Sequence, residues 1–315
     1  MQIIRGINKL QPASTPCVAT IGNFDGVHIG HQVILKKLLI YGQKLQLPTV
    51  VITFEPLPQE YFAASHIPAR LTRLREKLQI LKELGIDKVL ILRFAPKLID
   101  MPAEIFIERI LVQALRVQLL LVGDDFRFGK QRLGDFHKLC ESGIHYGFQV
   151  QKTETITDAA ARVSSTRIRQ LLSHADLQLA KQLLGRSYKI SGRVGYGAKR
   201  GRSIGFPTAN INLRRQVSPL QGVYAVRIYG IGEQVYLGVA NVGQRPTVST
   251  NNFVLLEVHI LDFNGDLYRS YLEIEFVHWI RGEQQFASIE LLQHQIVQDI
   301  DAAIRLFADQ NIISQ

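Results

Sequence analysis

The sequence predicts an α/β protein in two parts: a parallel sheet wrapped by helices, then a small antiparallel β-barrel or sandwich closed by a terminal helix. Three observations predict it. Short apolar runs alternate with helical patterns up to Leu184, close-set strands and glycines take over after Gly185, and apolar residues three and four apart end the chain. At 315 residues, with 46% hydrophobic and 8% aromatic content, the chain has material for two ordinary cores. The expected domains are residues 1–184 and 185–315.

In chain order, Val18–Ile21 is the first strand and runs into Gly22-Asn23-Phe24-Asp25-Gly26-Val27-His28-Ile29-Gly30-His31, a glycine turn that opens a helix reaching about Lys44. Thr49–Phe54 is β-branched and apolar, a second strand stopped by Glu55-Pro56-Leu57-Pro58. Pro68–Leu84 is helical and basic, Gly85 stops it, and Lys88–Phe94 forms a third strand. Pro102 stands near the start of a helix reaching Leu115, Leu119–Val122 is the fourth strand, and Gly147–Gln151 the fifth. Such alternation implies a parallel sheet with right-handed crossovers, whose ligands sit beyond the carboxyl ends of its strands. His28, Pro56 and Asp124 follow the first, second and fourth strands, so they converge on one edge.

In the first turn, Gly22, Gly26 and Gly30 are expected to take positive φ and let an anion approach the backbone. The helix behind them directs free N–H groups at that anion. His28 and His31 lie three apart, so both imidazoles can face the same way and donate to phosphate oxygens. The rival reading is two surface histidines after an ordinary βα turn.

Between Arg162 and Arg202 there are ten Lys or Arg against one acid, Asp176. Within that stretch Ser164, Ser165 and Thr166 stand at a helix start beside Arg167 and Arg169, as simple N-caps or as a polyphosphate clamp. The net charge of +10 concentrates near phosphate-type motifs rather than along a face with aromatic platforms, so it is read as directed at nucleotides and not at nucleic acid.

After Gly185, strands are expected at Tyr188–Arg193, Val223–Tyr229, Gln234–Ala240, Leu255–Leu261 and Tyr271–Val277. The loop Gly195-Tyr196-Gly197-Ala198-Lys199-Arg200-Gly201-Arg202 is glycine-rich and basic but lacks the Lys-Ser/Thr ending of a P-loop. Thr208 and Asn210, two apart in Phe206-Pro207-Thr208-Ala209-Asn210, offer hard oxygens to Mg²⁺ carrying ATP phosphates, or else form a tight turn with an asparagine cap. Glu257 is a lone acid in an apolar strand, placed to take the proton from a hydroxyl attacking a γ-phosphate or to make a structural salt bridge. Ile289, Leu292, Ile296, Ile300, Ala303 and Phe307 form a helical stripe expected to pack on the barrel.

No signal-peptide pattern or membrane-length apolar run occurs, so the expectation is a cytoplasmic protein without membrane contact. Cys17 and Cys140 fit neither a disulfide framework nor a metal cluster.

Six stretches taken together resemble, in order and from end to end, the prokaryotic bifunctional riboflavin kinase/FAD synthetase family. They are Gly22–His28, Val122–Gly129, Ser164–Arg169, Gly205–Asn210, Gly238–Thr247 and Leu261–Phe263. The resemblance implies a Rossmann-like nucleotidyltransferase domain that adenylylates FMN to FAD with release of pyrophosphate, then a riboflavin-kinase-type barrel that makes FMN and ADP from riboflavin and ATP. Mg²⁺ would serve both.

It also implies roles for residues. His28 and His31 would stabilise the α-phosphate, and Ser164, Ser165, Thr166 and Arg167 would hold the β and γ phosphates. Gly22, Asn23, Phe24, Asp25 and Asp124 would border that nucleotide. Pro56, Pro58 and Phe128 would line the flavin, with Arg281 in a flavin-side loop of the second domain. There Gly195, Gly197, Lys199 and Gly201 would meet the kinase nucleotide, Thr208 and Asn210 the metal, and Glu257 would be the base. Two departures stand out: Leu57 replaces a histidine of many relatives, and Arg269-Ser270 follows Tyr268 where a glycine is usual. A flavin- or nucleotide-binding regulator with one or both activities lost, and an RNA-binding protein resting on charge alone, are the competing readings.

Overall fold

The computed structural model describes residues 1–7, 13–63, 67–158, 161–196, 201, 204–213, 217–244 and 254–309. The chain divides into two compact units, Met1–Pro68 with Thr72–Ser165, and Ala69–Leu71 with Thr166–Gln315.

The first unit holds β1 (Gln2–Arg5), β2 (Cys17–Ile21), α1 (Ile29–Leu45), β3 (Thr49–Glu55), α2 (Pro58–Phe62), α3 (Leu74–Glu83), β4 (Lys88–Arg93) and α4 (Pro96–Ile99). It continues with α5 (Ala103–Phe106), which widens into a π-helix over Ile107–Ala114, then β5 (Val117–Gly123), α6 (Phe136–Tyr146), β6 (Gln149–Thr153) and the short hairpin β7 (Thr157–Asp158) and β8 (Ala161–Arg162). Six strands form one parallel sheet in the order β1-β4-β3-β2-β5-β6.

Alternation along the strands builds a layer of core on each face. Ala19, Ile52, Leu90 and Leu120 pack with Phe106, Ile107, Ile110 and Leu139 on one side. Val18, Val51, Val89 and Leu119 pack with Leu35, Leu38, Leu78 and Leu81 on the other. Ile52, Leu90 and Leu120 are fully buried, each contributing about 1.5–3 kcal/mol of transfer free energy. Two boundaries differ from the sequence expectation. The basic helix begins at Leu74 rather than Pro68, and Gly147 is not the start of a strand but the left-handed C-cap of α6, at φ 78°.

The second unit comprises α7 (Ser165–Ser173), α8 (Leu177–Leu184), β9 (Lys189–Gly195), β10 (Ala209–Asn212), β11 (Gly222–Ile231), β12 (Gln234–Gln244), β13 (Val254–Ile260), β14 (Tyr271–Arg281) and α9 (Ile289–Asp309). The strands close into an antiparallel barrel, β10-β13-β12-β11-β14-β9, which decides between the barrel and sandwich expected from sequence. Closure leaves no sheet edge to satisfy. Ile190, Ile211, Val226, Ala240, Leu256, Val258 and Ile274 are among its fully buried residues.

Helix α9 lies on the outside of β11 and β12, where Ala303 and Phe307 meet Val223, Ala225 and Val239. The predicted stripe is partly buried at Leu292, Ile296 and Ile300 and buried at Ala303 and Phe307, and it fails at its first position, Ile289, which is 59% exposed. The third fully buried position is an acid, Asp299. Its carboxylate accepts from Arg281 Nε at 2.8 Å and Nη2 at 2.7 Å, a bidentate pair that offsets the cost of burying the charge.

A second ionic cluster ties β9, β11 and β14 together. Glu275 accepts from Arg227 Nη1 at 3.1 Å and from the Tyr229 hydroxyl at 2.7 Å, with Lys189 Nζ at 4.0 Å. Burial alone would raise the Glu275 pKa, but hydrogen bonds from Tyr229 and Ser187 and the charges of Arg227 and Lys189 outweigh it and hold the carboxyl below its ordinary value. Burial, then the hydrogen bond and charge of Glu275, push Tyr229 up to about 12. A depressed folded-state pKa contributes stability above the ordinary carboxylate value and loses it as pH falls through the depressed one. Glu275→Gln is therefore expected to cost about 1–3 kcal/mol at pH 7, with the deficit shrinking in denaturant titrations repeated at pH values falling below the ordinary carboxylate range.

Arg269, one of the two departures, sits at φ +68° between Tyr268 and Ser270. A side chain in that region costs about 1 kcal/mol that glycine avoids. Arg269→Gly is expected to raise stability by about 0.5–1 kcal/mol, read from the denaturation midpoint.

Candidate active sites

The first constellation grows from the end of β2. That strand lies between β3 and β5, where the sheet order reverses, the position beyond whose carboxyl ends sheets of this kind bind ligands. The turn after Ile21 is held from several elements. Asp25, 1% exposed, accepts from the Thr72 N–H at 3.0 Å, and Gly26 N–H donates to the Thr72 hydroxyl at 2.9 Å. Lys77 Nζ, in a side chain 1% exposed, donates to Asn23 O at 2.6 Å, and the Ser165 hydroxyl donates to Asp25 O at 2.9 Å.

The expectation for the three glycines needs correction. Only Gly26 takes positive φ, at 83°, while Phe24 at 48° and Val27 at 41° carry the rest of the turn. Gly22 and Gly30 are small for another reason. A Cβ on Gly22 would lie 3.0 Å from the Phe24 ring, and one on Gly30 3.2 Å from the His28 ring. Phe24 and Asp25 are buried parts of the turn's own support, whereas Asn23 is exposed.

His28 caps α1, its Nδ1 accepting from the His31 backbone N–H at 3.4 Å. The two imidazoles stack with centroids 3.7 Å apart and planes inclined by 20°, and the Phe24 ring is 5.1 Å from His31. No acid occupies the first turn of α1, so the positive end of its dipole is not offset there.

Asp124 follows β5, the neighbour of β2. A hydrogen bond from the Thr155 hydroxyl, helped by Arg162 at 3.9 Å, holds its carboxyl below the usual range. Arg162 also pairs with Asp125 at 2.8 Å. Ser164 is half-buried ahead of α7, and Thr166 and Arg167 lie in that helix, within the second unit.

Beyond β3, Pro56 follows a cis peptide bond and Pro58 opens α2. Leu57, the other departure, is fully buried, so its side chain joins the core and leaves the surface to the prolines. Phe128 is 6% exposed and packs between Phe106 and Phe126, each at 5.5 Å, so its ring belongs to the core and not to an exposed lining. Exposed aromatic surface comes instead from Tyr61 and Phe62, 44% and 64% exposed and edge-on to Phe94 at 5.6 Å. Sequence reasoning missed them; the signal was two adjacent aromatics just after the paired prolines.

The second constellation lies on the barrel. Gly195, Asn210, Glu257 and Asn241 are opposed in register across β9, β10, β13 and β12. Val254, Leu256, Val258 and Ile260 are buried in β13, so alternation turns Glu257 to the other face of the strand. Asn210 is 9% exposed, and its Oδ1 has no hydrogen-bond partner among the described residues; its Nδ2 donates to Thr208 O at 3.3 Å.

Gly201 closes against this segment. Phe206 N–H donates to its carbonyl at 2.8 Å, and an added Cβ would lie 3.2 Å from the Thr208 hydroxyl. Gly197 and Lys199 lie outside the described residues. Arg281 is the last residue of β14 and not part of a loop, and its guanidinium is committed to Asp299.

No described helix is long and apolar enough to cross a membrane. The FAD synthetase family model matches residues 10–167, and the riboflavin kinase model matches residues 184–307. A bifunctional riboflavin kinase/FMN adenylyltransferase of Escherichia coli K12 is 51% identical over 300 residues, covering 95% of this chain and 96% of that protein. Its counterpart in Haemophilus influenzae is 45% identical, covering 98% and 99%. A crystal structure titled macrolide-efflux protein from Streptococcus pneumoniae superposes with a TM-score of 0.82 at 28% identity, over 96% of this chain and 99% of that one. Two family matches in chain order, carried by relatives of full length, place this chain in the bifunctional riboflavin kinase/FMN adenylyltransferase family.

Proposed function

We propose that the chain performs both steps of flavin cofactor synthesis: phosphorylation of riboflavin by ATP to give FMN and ADP, then adenylylation of FMN by a second ATP to give FAD and pyrophosphate. The observation that carries this reading is that the two family matches fall on two separately packed folds, each with its own polar constellation.

In the first unit, His28 and His31 act on the α-phosphate as FMN attacks, stabilising charge that develops as pyrophosphate leaves. Their stacking supports this role, because it presents two imidazoles side by side at one helix start. Gly22 and Asn23 border the nucleotide, Phe24 and Asp25 hold that border in place, and Asp124 flanks it. Ser164 and Ser165, the last residues of this unit, hold the β and γ phosphates. Pro56, Pro58 and the exposed Tyr61 and Phe62 face the flavin ring, with Phe128 behind.

In the second unit, Glu257 takes the proton from the riboflavin hydroxyl that attacks the γ-phosphate. Thr208 and Asn210 fit Mg²⁺: both are hard oxygen donors, and the Asn210 Oδ1 is buried without a hydrogen-bond partner among the described residues. When bound, the ion neutralises charge on the ATP phosphates. The glycine loop from Gly195 to Gly201 meets the nucleotide, and Arg281 anchors α9 beside the flavin side. The chemistry belongs to the cytoplasm.

Incubation with riboflavin and Mg-ATP, followed by chromatography, tests the whole reading. FMN should appear first and FAD after it. A protein that binds flavin but forms neither product is a regulator, and the proposal fails.

A further inference from the structure

Thr208 and Asn210 differ in how the backbone holds them. Asn210 lies inside β10, opposite Glu257, whereas Thr208 precedes the strand, whose last pair toward it is Ala209 with Val258. Pro207 has no N–H to carry the ladder further. A side chain takes over at that point: His259, next along β13, places Nδ1 2.9 Å from Pro207 O. A carbonyl only accepts, so this nitrogen carries the proton. The ring also meets Phe206 edge-on, with centroids 5.8 Å apart and planes at 80°. His259 shares its strand with Glu257 two residues earlier, and by alternation the two side chains lie on one face of β13.

We propose that His259 is a positioning residue for riboflavin phosphorylation. Its Nδ1–H pins Pro207, and so fixes where Thr208 stands relative to Asn210 and Glu257. The inference rests on the reading of Thr208 and Asn210 as ligands for magnesium nucleotide.

His259→Phe keeps a ring against Phe206 and removes the N–H, while His259→Asn retains a donor at similar reach. In the full chain, His259→Phe is expected to raise KM for Mg-ATP in riboflavin phosphorylation about 5- to 10-fold, the positioning value of one hydrogen bond, with a smaller change in kcat. His259→Asn should recover most of that loss. Adenylylation of added FMN should be unchanged and serves as the control for folding. As a readout apart from activity, amide hydrogen exchange at Thr208–Asn210 should speed up in His259→Phe without nucleotide, while exchange in β11 and β14 stays as in the parent. An unchanged KM, an asparagine variant no better than phenylalanine, or accelerated exchange throughout the barrel overturns the proposal. Asn210→Ala separates the two levels. If it leaves phosphorylation intact, the ligand reading itself is wrong; if it abolishes phosphorylation while His259→Phe changes nothing, only the positioning role falls.

Discussion

Replacing His31 with alanine is expected to cut FAD formation from FMN by about 10²–10³-fold while leaving FMN formation from riboflavin intact. The size follows from where the ring sits. It stacks on His28 at 3.7 Å over the start of α1, whose first turn carries no acid. Removing a donor aimed at developing phosphate charge costs transition-state stabilisation, whereas removing a uniform binding contact raises KM alone. The loss should therefore appear in kcat. The barrel's constellation belongs to the second unit, so FMN production by the same preparation reports whether the protein is folded. Equal loss of both activities in a folded variant would mean that one reaction per unit is the wrong assignment.

Glu257→Gln is expected to do the reverse, lowering riboflavin phosphorylation by about 10²–10⁴-fold with FAD formation from supplied FMN unchanged. Glutamine keeps the volume and removes the base. The flanking Asn210 and Asn241 are amides, so the carboxylate is the one titratable group in that cross-strand row. Retained phosphorylation would make Glu257 a structural acid. In the variant, riboflavin with Mg-ATP should give almost no FAD, because the first unit would have no FMN to use, and added FMN should restore it.

The fold was legible in sequence wherever an apolar run, alternation or helical spacing was strong, as in Val18–Ile21, Thr49–Phe54 and every barrel strand except the four-residue β10. β1 escaped because it is an edge strand with three of four residues exposed, which leaves little hydrophobic pattern to find. The proposed site was legible as chemistry more than as geometry. His28, His31, Asp124, Asn210 and Glu257 are proposed on residue type and spacing, but their supports cannot be found that way. Lys77 lies 54 residues from Asn23, the turn it holds, and Thr72 lies 47 residues from Asp25. Such partners become visible only when tertiary packing brings them together. Glycine misled for a related reason. At Gly22 and Gly30 the small size answers an aromatic ring overhead, a requirement set by the rotamers of Phe24 and His28 and not by the local backbone.

In β13, buried Leu256 and Val258 stand immediately on either side of Glu257. The proposed chemistry and the core thus share one strand as odd and even numbers. Adding or deleting one residue between Val254 and Glu257 would exchange the two sets at a stroke, sending a carboxylate into the barrel and an apolar side chain to the place of the proposed base. The length of the strand therefore matters to the proposed site as much as Glu257 does.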